Sequence, residues 1–160
     1  MVAVGWGDFT SAAKVGSQRE LVVAKKNRLV LYVVDSTGQL CEVCSTAVFA
    51  TIRGMCVVMG NCVAITSDSG CLSLGLFDEK KNTWVLEASA EFGQAGCVRH
   101  VPGQYLAVSN NMLLCTSVEN QRVLFEVDDN YDMTSLEFSD EEETEGGAAV
   151  VFDICAISSQ

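Results

Sequence analysis

Two cysteines three positions apart, Cys41 and Cys44, carry the one metal-like spacing in the chain. A Cys-x-x-Cys pair supplies half of a tetrahedral zinc site, and a second Cys or His pair must complete it. No such pair accompanies this one, and on a regular strand positions three apart point to opposite faces. The plain strand reading therefore outweighs the metal one. The single histidine, His100, has the chemistry of a general acid or base, but catalysis also needs an orienting acid and a nucleophile within reach. Nothing in the surrounding run Arg99-His100-Val101-Pro102-Gly103-Gln104 marks such partners. A polar position on an outer strand or connecting loop accounts for it better.

Two glycine-rich stretches have the composition of phosphate loops. Gly5-Trp6-Gly7-Asp8-Phe9 has no strand before it, and Phe92-Gly93-Gln94-Ala95-Gly96 reads as a loop between strands, so neither is a nucleotide cradle. The aromatics of the first are expected to cover the side of whatever sheet follows. The cationic clusters at Lys25, Lys26 and Arg28 and at Lys80 and Lys81 fall in turns, where solvated charge is the default. Trp84 is expected to pack rather than to recognise. No constellation supports an enzyme, a metal or a cofactor.

The elements that must position these residues form a repeat. Leu21 to Ala24, a polar turn and Arg28 to Val34 return as Val63 to Thr66, a turn and Cys71 to Phe77. They return again as Leu106 to Ser109, a turn and Met112 to Val118. The copies are about 42 and 43 residues apart, the spacing of a four-stranded propeller blade. Each copy continues with a third strand, at Leu40 to Ser45, Trp84 to Ala90 and Arg122 to Val127. A fourth follows at Ile52 to Val58, Cys97 to Val101 and Met133 to Phe138. Alternation with a period of two and many β-branched residues argue for strands throughout, and no sustained helical period appears.

The sequence therefore predicts an all-β chain, a partial WD-like β-propeller of three four-stranded blades plus the first strand of a fourth. A leading loop covers residues 1–20, blade-like repeats cover 21–58, 63–101 and 105–138, an acidic loop covers 139–147, and a fourth blade starts at 149–157. Turns rich in Asn, Asp and Gly fall where the hairpins need them, as at Ser67-Asp68-Ser69-Gly70 and Asn110-Asn111.

Charge is divided along the chain. The net charge is -11, yet the ten basic residues all lie before Glu126, where an equal number of acids offsets them. The excess acid belongs to the C-terminal stretch centred on Asp140 to Glu145, which is expected to be solvated or disordered. A neutral body with an acidic run lacks the basic face of a nucleic-acid binder. Eight cysteines sit in apolar strand patterns like small hydrophobes, the usage expected in a reducing compartment. The longest apolar run falls short of the roughly 20 residues that span a bilayer, and the N-terminus has no basic n-region or apolar h-region.

The run from Phe92 to Val108, with Ser67 to Gly70, Val48 to Arg53 and Ser117 to Leu124, resembles the N-terminal propeller of the large multi-propeller subunits typified by that of splicing factor 3b. The resemblance extends from about Gly7 to Val127. Phe9 to Ala12 and Ala24 to Val34 are equally similar to the damaged-DNA-binding large subunit, adaptor of a cullin ubiquitin ligase. The cleavage-and-polyadenylation large subunit belongs to the same superfamily. The middle of the chain favours the splicing branch.

Such a resemblance implies a nuclear, non-enzymatic scaffold in branch-site recognition, meeting RNA only indirectly, with no membrane and no small-molecule substrate. Its implied partners are the helical-repeat and small subunits of splicing factor 3b. The family's chains run on through three propellers and a helical tail, and its opening strand is expected to be missing here. Loops on rigid blades carry recognition, so the contact candidates are Glu79, Lys80 and Lys81 after Asp78, and Arg99, His100 and Gln104 in the second exposed connection. An open arc of blades leaves apolar faces unpaired, which drives association. The isolated chain is therefore expected to be poorly soluble, oligomeric or only partly folded. A monomeric, cooperative thermal transition at low micromolar concentration, read by scattering and circular dichroism together, would overturn the open-arc expectation.

Overall fold

The computed structural model describes residues 2–16, 18–59, 61–91, 100–106, 112–118 and 121–136. Among the described residues every regular element is a β-strand. The first sheet contains β1 (Val2–Gly7), β2 (Glu20–Lys25), β3 (Arg28–Val34) and β4 (Leu40–Ala47). The second contains β5 (Ile52–Met59), β6 (Cys62–Ser67), β7 (Cys71–Asp78) and β8 (Thr83–Glu91). The third contains β9 (His100–Leu106), β10 (Met112–Val118), β11 (Gln121–Val127) and β12 (Met133–Leu136). Each sheet is a four-stranded antiparallel meander in chain order.

These assignments shift the strands relative to the repeat read from the sequence. Val2–Gly7, expected to lie in a leading loop, is the innermost strand of the first sheet, with Trp6 opposite Leu21 and Val4 opposite Val23. The first sheet therefore opens with a strand inside the segment expected to be a loop. Ile52–Met59 starts the second sheet rather than ending the first repeat, because it pairs with β6, with Val57 opposite Val63. Likewise His100 and Val101, expected to close the second repeat, lie on β9 and pair with β10. A period fixes the distance between copies but not which strand of the cycle hydrogen-bonds first. The acidic loop at 139–147 and the fourth-blade start at 149–157 lie outside the described residues.

The sheets stack face to face through two apolar clusters. Val22, Leu29 and Leu31 of the first sheet meet Val63, Ile65 and Phe77 of the second. On the other face of the second sheet, Cys62, Ala64, Leu72 and Leu74 meet Phe125 and Val127 of the third. The second sheet is thus covered on both sides, which explains why β6 is buried at every position instead of alternating. Its cysteines serve as small apolar groups. Burial pushes the Cys56 and Cys62 thiols up to about 12, where the reactive thiolate is scarce. Cys41, Cys44, Cys56, Cys62 and Cys71 are free thiols.

Glycine sets the approach of β1. A Cβ on Gly5 would lie 2.6 Å from Val57 Cγ2 of β5, so the missing side chain lets the two inner strands close up. Gly7 similarly makes room for the ring of Phe9, whose Cε2 lies 2.6 Å from where its Cβ would be.

A bulge in β4 corrects the expectation that Cys41 and Cys44 face apart. The register passes from Leu31 opposite Cys44 to Tyr32 opposite Glu42, leaving Val43 unpaired. Cys41 lies opposite Val33 and Cys44 opposite Leu31, so both belong to one face. Among the described residues no group of three or more metal-binding side chains forms around them or elsewhere. Filling the gap between β1 and β5 is predicted to be costly. Gly5→Val should lower stability by about 1–3 kcal/mol through overpacking, measured by urea denaturation against the parent chain.

Candidate interaction surface

The fold brings its most organised polar cluster to the end of the first two sheets where β1 leaves and β2 begins. Glu20 opens an apolar strand and is fully buried. Its Oε2 accepts hydrogen bonds from the N–H groups of Phe9 at 2.6 Å and Thr10 at 2.9 Å, and its Oε1 accepts from the N–H of Ser11 at 2.8 Å. A carboxylate that receives three N–H groups replaces most of the hydration it loses on burial. Lys14 Nζ lies 3.9 Å from the same carboxylate and also pairs with Asp8. That hydrogen bond to Asp8 raises the Lys14 ammonium above its ordinary range, burial opposing it and the charges of Asp8 and Glu20 adding to it. Thr10 takes a positive φ of 50° to bring its N–H inward.

This clasp pins Phe9 into the seam between the sheets. Phe9 is wholly buried and meets Trp84 edge to face at 5.0 Å between centroids, with Phe77 at 6.4 Å. Phe77 and Trp84 close the triangle at 5.3 Å. Edge-to-face packing adds to the area buried by each ring. Trp84 is a packing residue, as its sequence setting suggests.

The turn after β7 joins the same end. Thr10 Oγ1 donates to Glu79 Oε1, linking the segment after β1 to this turn across the sheet boundary. Asp78 Oδ1 accepts from the N–H groups of Lys80 and Lys81, both at 3.0 Å, and its other oxygen meets Lys81 Nζ at 3.3 Å. The N–H of Lys81 is the chief cause holding the Asp78 carboxyl below its usual range. Asn82 completes the turn at a φ of 51°. Glu79, Lys80 and Lys81 are therefore exposed on a rigid base.

The remaining contact candidates lie elsewhere. His100 opens β9 and pairs with Val118, at the opposite end of the third sheet from the 128–132 turn. Tyr131 of that turn packs on the cluster containing Cys62, next to the end that carries the 78–82 turn. His100 and the Glu79–Lys81 turn thus sit on opposite rims. Gln104 is opposite Leu114 within β9, and Arg99 lies outside the described residues. Among the described residues, His100 and Gln104 do not join Glu79, Lys80 and Lys81 in one cluster.

Sequence reasoning missed Glu20, Thr10 and Asp8. One signal was available: an acid at the start of a strand whose next four residues are all apolar.

Stacked four-stranded antiparallel sheets with loops at two rims define a β-propeller framework. The family model described as the RSE1/DDB1/CPSF1 first beta-propeller matches residues 7–159, and the chain belongs to that family. Among curated relatives, Spliceosome-associated protein 130 A of Arabidopsis thaliana is 27% identical over 89% of this chain. Pre-mRNA-splicing factor RSE1 of Debaryomyces hansenii is 30% identical over 88%, and Probable splicing factor 3B subunit 3 of Dictyostelium discoideum is 28% identical over 94%. The chain spans 12% of the length of each of these relatives. A solved structure of a protein from Lactobacillus plantarum superposes with a TM-score of 0.53 at 14% identity, covering 79% of this chain and 40% of that one. That likeness concerns fold alone.

Replacing the clasp is predicted to loosen the seam. Glu20→Ala strands three N–H groups and should cost at least about 2 kcal/mol. The melting temperature should fall by roughly 4–8 °C, followed by circular dichroism, while Thr10→Ala, which removes only the exposed link to Glu79, should change it little.

Proposed function

We propose that this chain is a non-enzymatic scaffold of the splicing factor 3b type, acting in the nucleus to support branch-site recognition during pre-mRNA splicing. The observation that carries the reading is the match of most of the chain to the first propeller of the family together with splicing-factor relatives over 88–94% of its length. The physical character of the molecule is compatible with it. Its organised polar groups serve packing: Glu20 holds backbone, Asp78 holds a turn, and the Cys56 and Cys62 thiols are buried. Its exposed charges of both signs sit on rim turns, where protein partners are met by shape and charge complementarity.

On this reading the partners are the helical-repeat and small protein subunits of the complex, with RNA handled by those partners. The Glu79–Lys81 turn is the better supported contact, because Asp78 and Thr10 hold it in one conformation. Arg99, His100 and Gln104 are proposed as a second contact on the remaining blade.

Affinity purification of the endogenous protein from nuclear extract, with mass spectrometry, tests this. Recovery of the helical-repeat splicing subunit and other U2-particle proteins is expected. Recovery of cullin-ligase components in their place would move the assignment to the repair-adaptor branch. A Lys80→Glu variant, which leaves the Asp78–Lys81 pair in place, should recover several-fold less of the splicing subunits with an unchanged melting temperature.

A further inference from the structure

A cleft of about 320 Å³ opens between the linker that joins the first two sheets and the outer strands of the second. Its size is at the low end of the range for ligand pockets, suited to one or two side chains. The cleft belongs to neither the Glu20 clasp nor the Glu79–Lys81 turn.

Two features of the chain create it. Where the rest of the seam is filled by Leu, Val and aromatic rings, the second sheet here presents Ser67, Ser69, Cys71 and Ser73. The hydroxyls satisfy one another: Ser67 Oγ lies 2.6 Å from Ser69 Oγ, and Ser73 Oγ lies 3.1 Å from Ser89 Oγ. The floor is therefore small and makes few demands on an occupant. The second feature is a bulge in β8. The register steps from Leu74 opposite Ala88 to Gly75 opposite Leu86, leaving Glu87 unpaired. A regular strand sends alternate side chains to opposite faces. Yet Leu86 and Ser89, three apart and opposite Gly75 and Ser73, share the face that lines this cleft, with Glu87 at the bulge beside them, while Ala88 packs on the cluster shared with the third sheet. Bulges of this kind re-aim side chains and recur beside sites.

The walls define the occupant. Phe49, 97% exposed, and Leu86, 42% exposed, are the exposed large apolar residues among those lining the cleft. Glu87 is the only ionisable side chain among the lining residues other than the Cys71 thiol, and Glu91 is exposed further along the same strand. No lysine or arginine lines the cleft, and nearby Arg53 is engaged with Asp68 at 3.8 Å. An apolar hollow with an uncompensated carboxylate on its wall is complementary to a large apolar side chain beside a cation.

We propose that this cleft docks an extended segment of a partner protein that presents a large apolar side chain next to a lysine or arginine. The apolar side chain enters between Phe49 and Leu86, and the cation meets Glu87. This deepens the scaffold reading above and rests on it for the presence of a protein partner.

Fluorescence polarisation with the full chain tests the chemistry. The probes are a short labelled Gly/Ser peptide carrying one Phe flanked by lysines, and the same peptide with glutamates in their place. Saturable binding of the lysine peptide is expected, about tenfold tighter than the glutamate peptide. Glu87→Lys should reverse that preference, and Phe49→Ser should weaken both, with melting temperatures unchanged because both side chains are exposed. Equal binding of the two peptides, no saturable binding, or indifference to both substitutions overturns the proposal.

Parallel purification from nuclear extract separates this inference from the function it rests on. Wild-type recovery of splicing subunits that both variants fully retain sinks the cleft and leaves the scaffold. Charge-reversible peptide binding without splicing subunits sinks the splicing assignment and leaves the cleft chemistry, with its partner in another complex.

Discussion

Glu20 has no exposed surface, and its two oxygens accept from three consecutive backbone N–H groups. The placement of Phe9 follows from that arrangement. A segment leaving the innermost strand of one sheet has no reason of its own to turn inward, since its N–H groups could equally bond water. The buried carboxylate gives them partners, and Phe9 is carried into the seam against Trp84 and Phe77. An acid buried without those donors would face a desolvation cost that its charge could not offset. The clasp and the aromatic triangle therefore depend on each other, and the stacking of the first two sheets depends on both.

The second sheet shows what stacking demands of a sequence. Covered on both faces, it uses Cys, Ala, Val and Leu where a one-sided sheet would alternate apolar and polar residues. This leaves the exposed polar residues to rims and outer strands. The 78–82 turn shows how a rim is made firm: Asp78 satisfies two N–H groups and Thr10 reaches Glu79 from the neighbouring sheet. The outer cleft follows the opposite rule, with small serines leaving space where larger side chains would have filled it. Membership of the first-propeller family fits a molecule whose ordered groups hold surfaces in place.

Much of the architecture was legible before the structure. Copies about 42 and 43 residues apart, strands of period two and turn residues at the hairpins announce four-stranded blades. The run from Phe92 to Val108 carried the family resemblance although its structure lies largely outside the described residues. Less legible were features that break the alternation. Gly5-Trp6-Gly7 looked like a loop because its glycines have no side chain to alternate, yet they are there to let β1 close on Val57 and Phe9. Bulges at Val43 and Glu87 put odd-spaced residues on one face, so counting positions gave the wrong face for Cys41 and Cys44. Of the five contact candidates among the described residues, three share a turn and His100 and Gln104 lie on β9, because a linear reading cannot tell which rim a segment occupies.

The sequence by itself determined the class of element and the repeat length, because these depend on local alternation and on side-chain chemistry. Only the tertiary structure decided which strand begins each sheet and which loops share a rim. It alone showed that Glu20 holds the loop before it and that serines and a bulge open a cleft beside Phe49. The reason is physical. Strand propensity and turn chemistry act over a few residues, whereas hydrogen-bond partners and packing gaps are set by groups brought together from distant positions, such as Thr10 and Glu79.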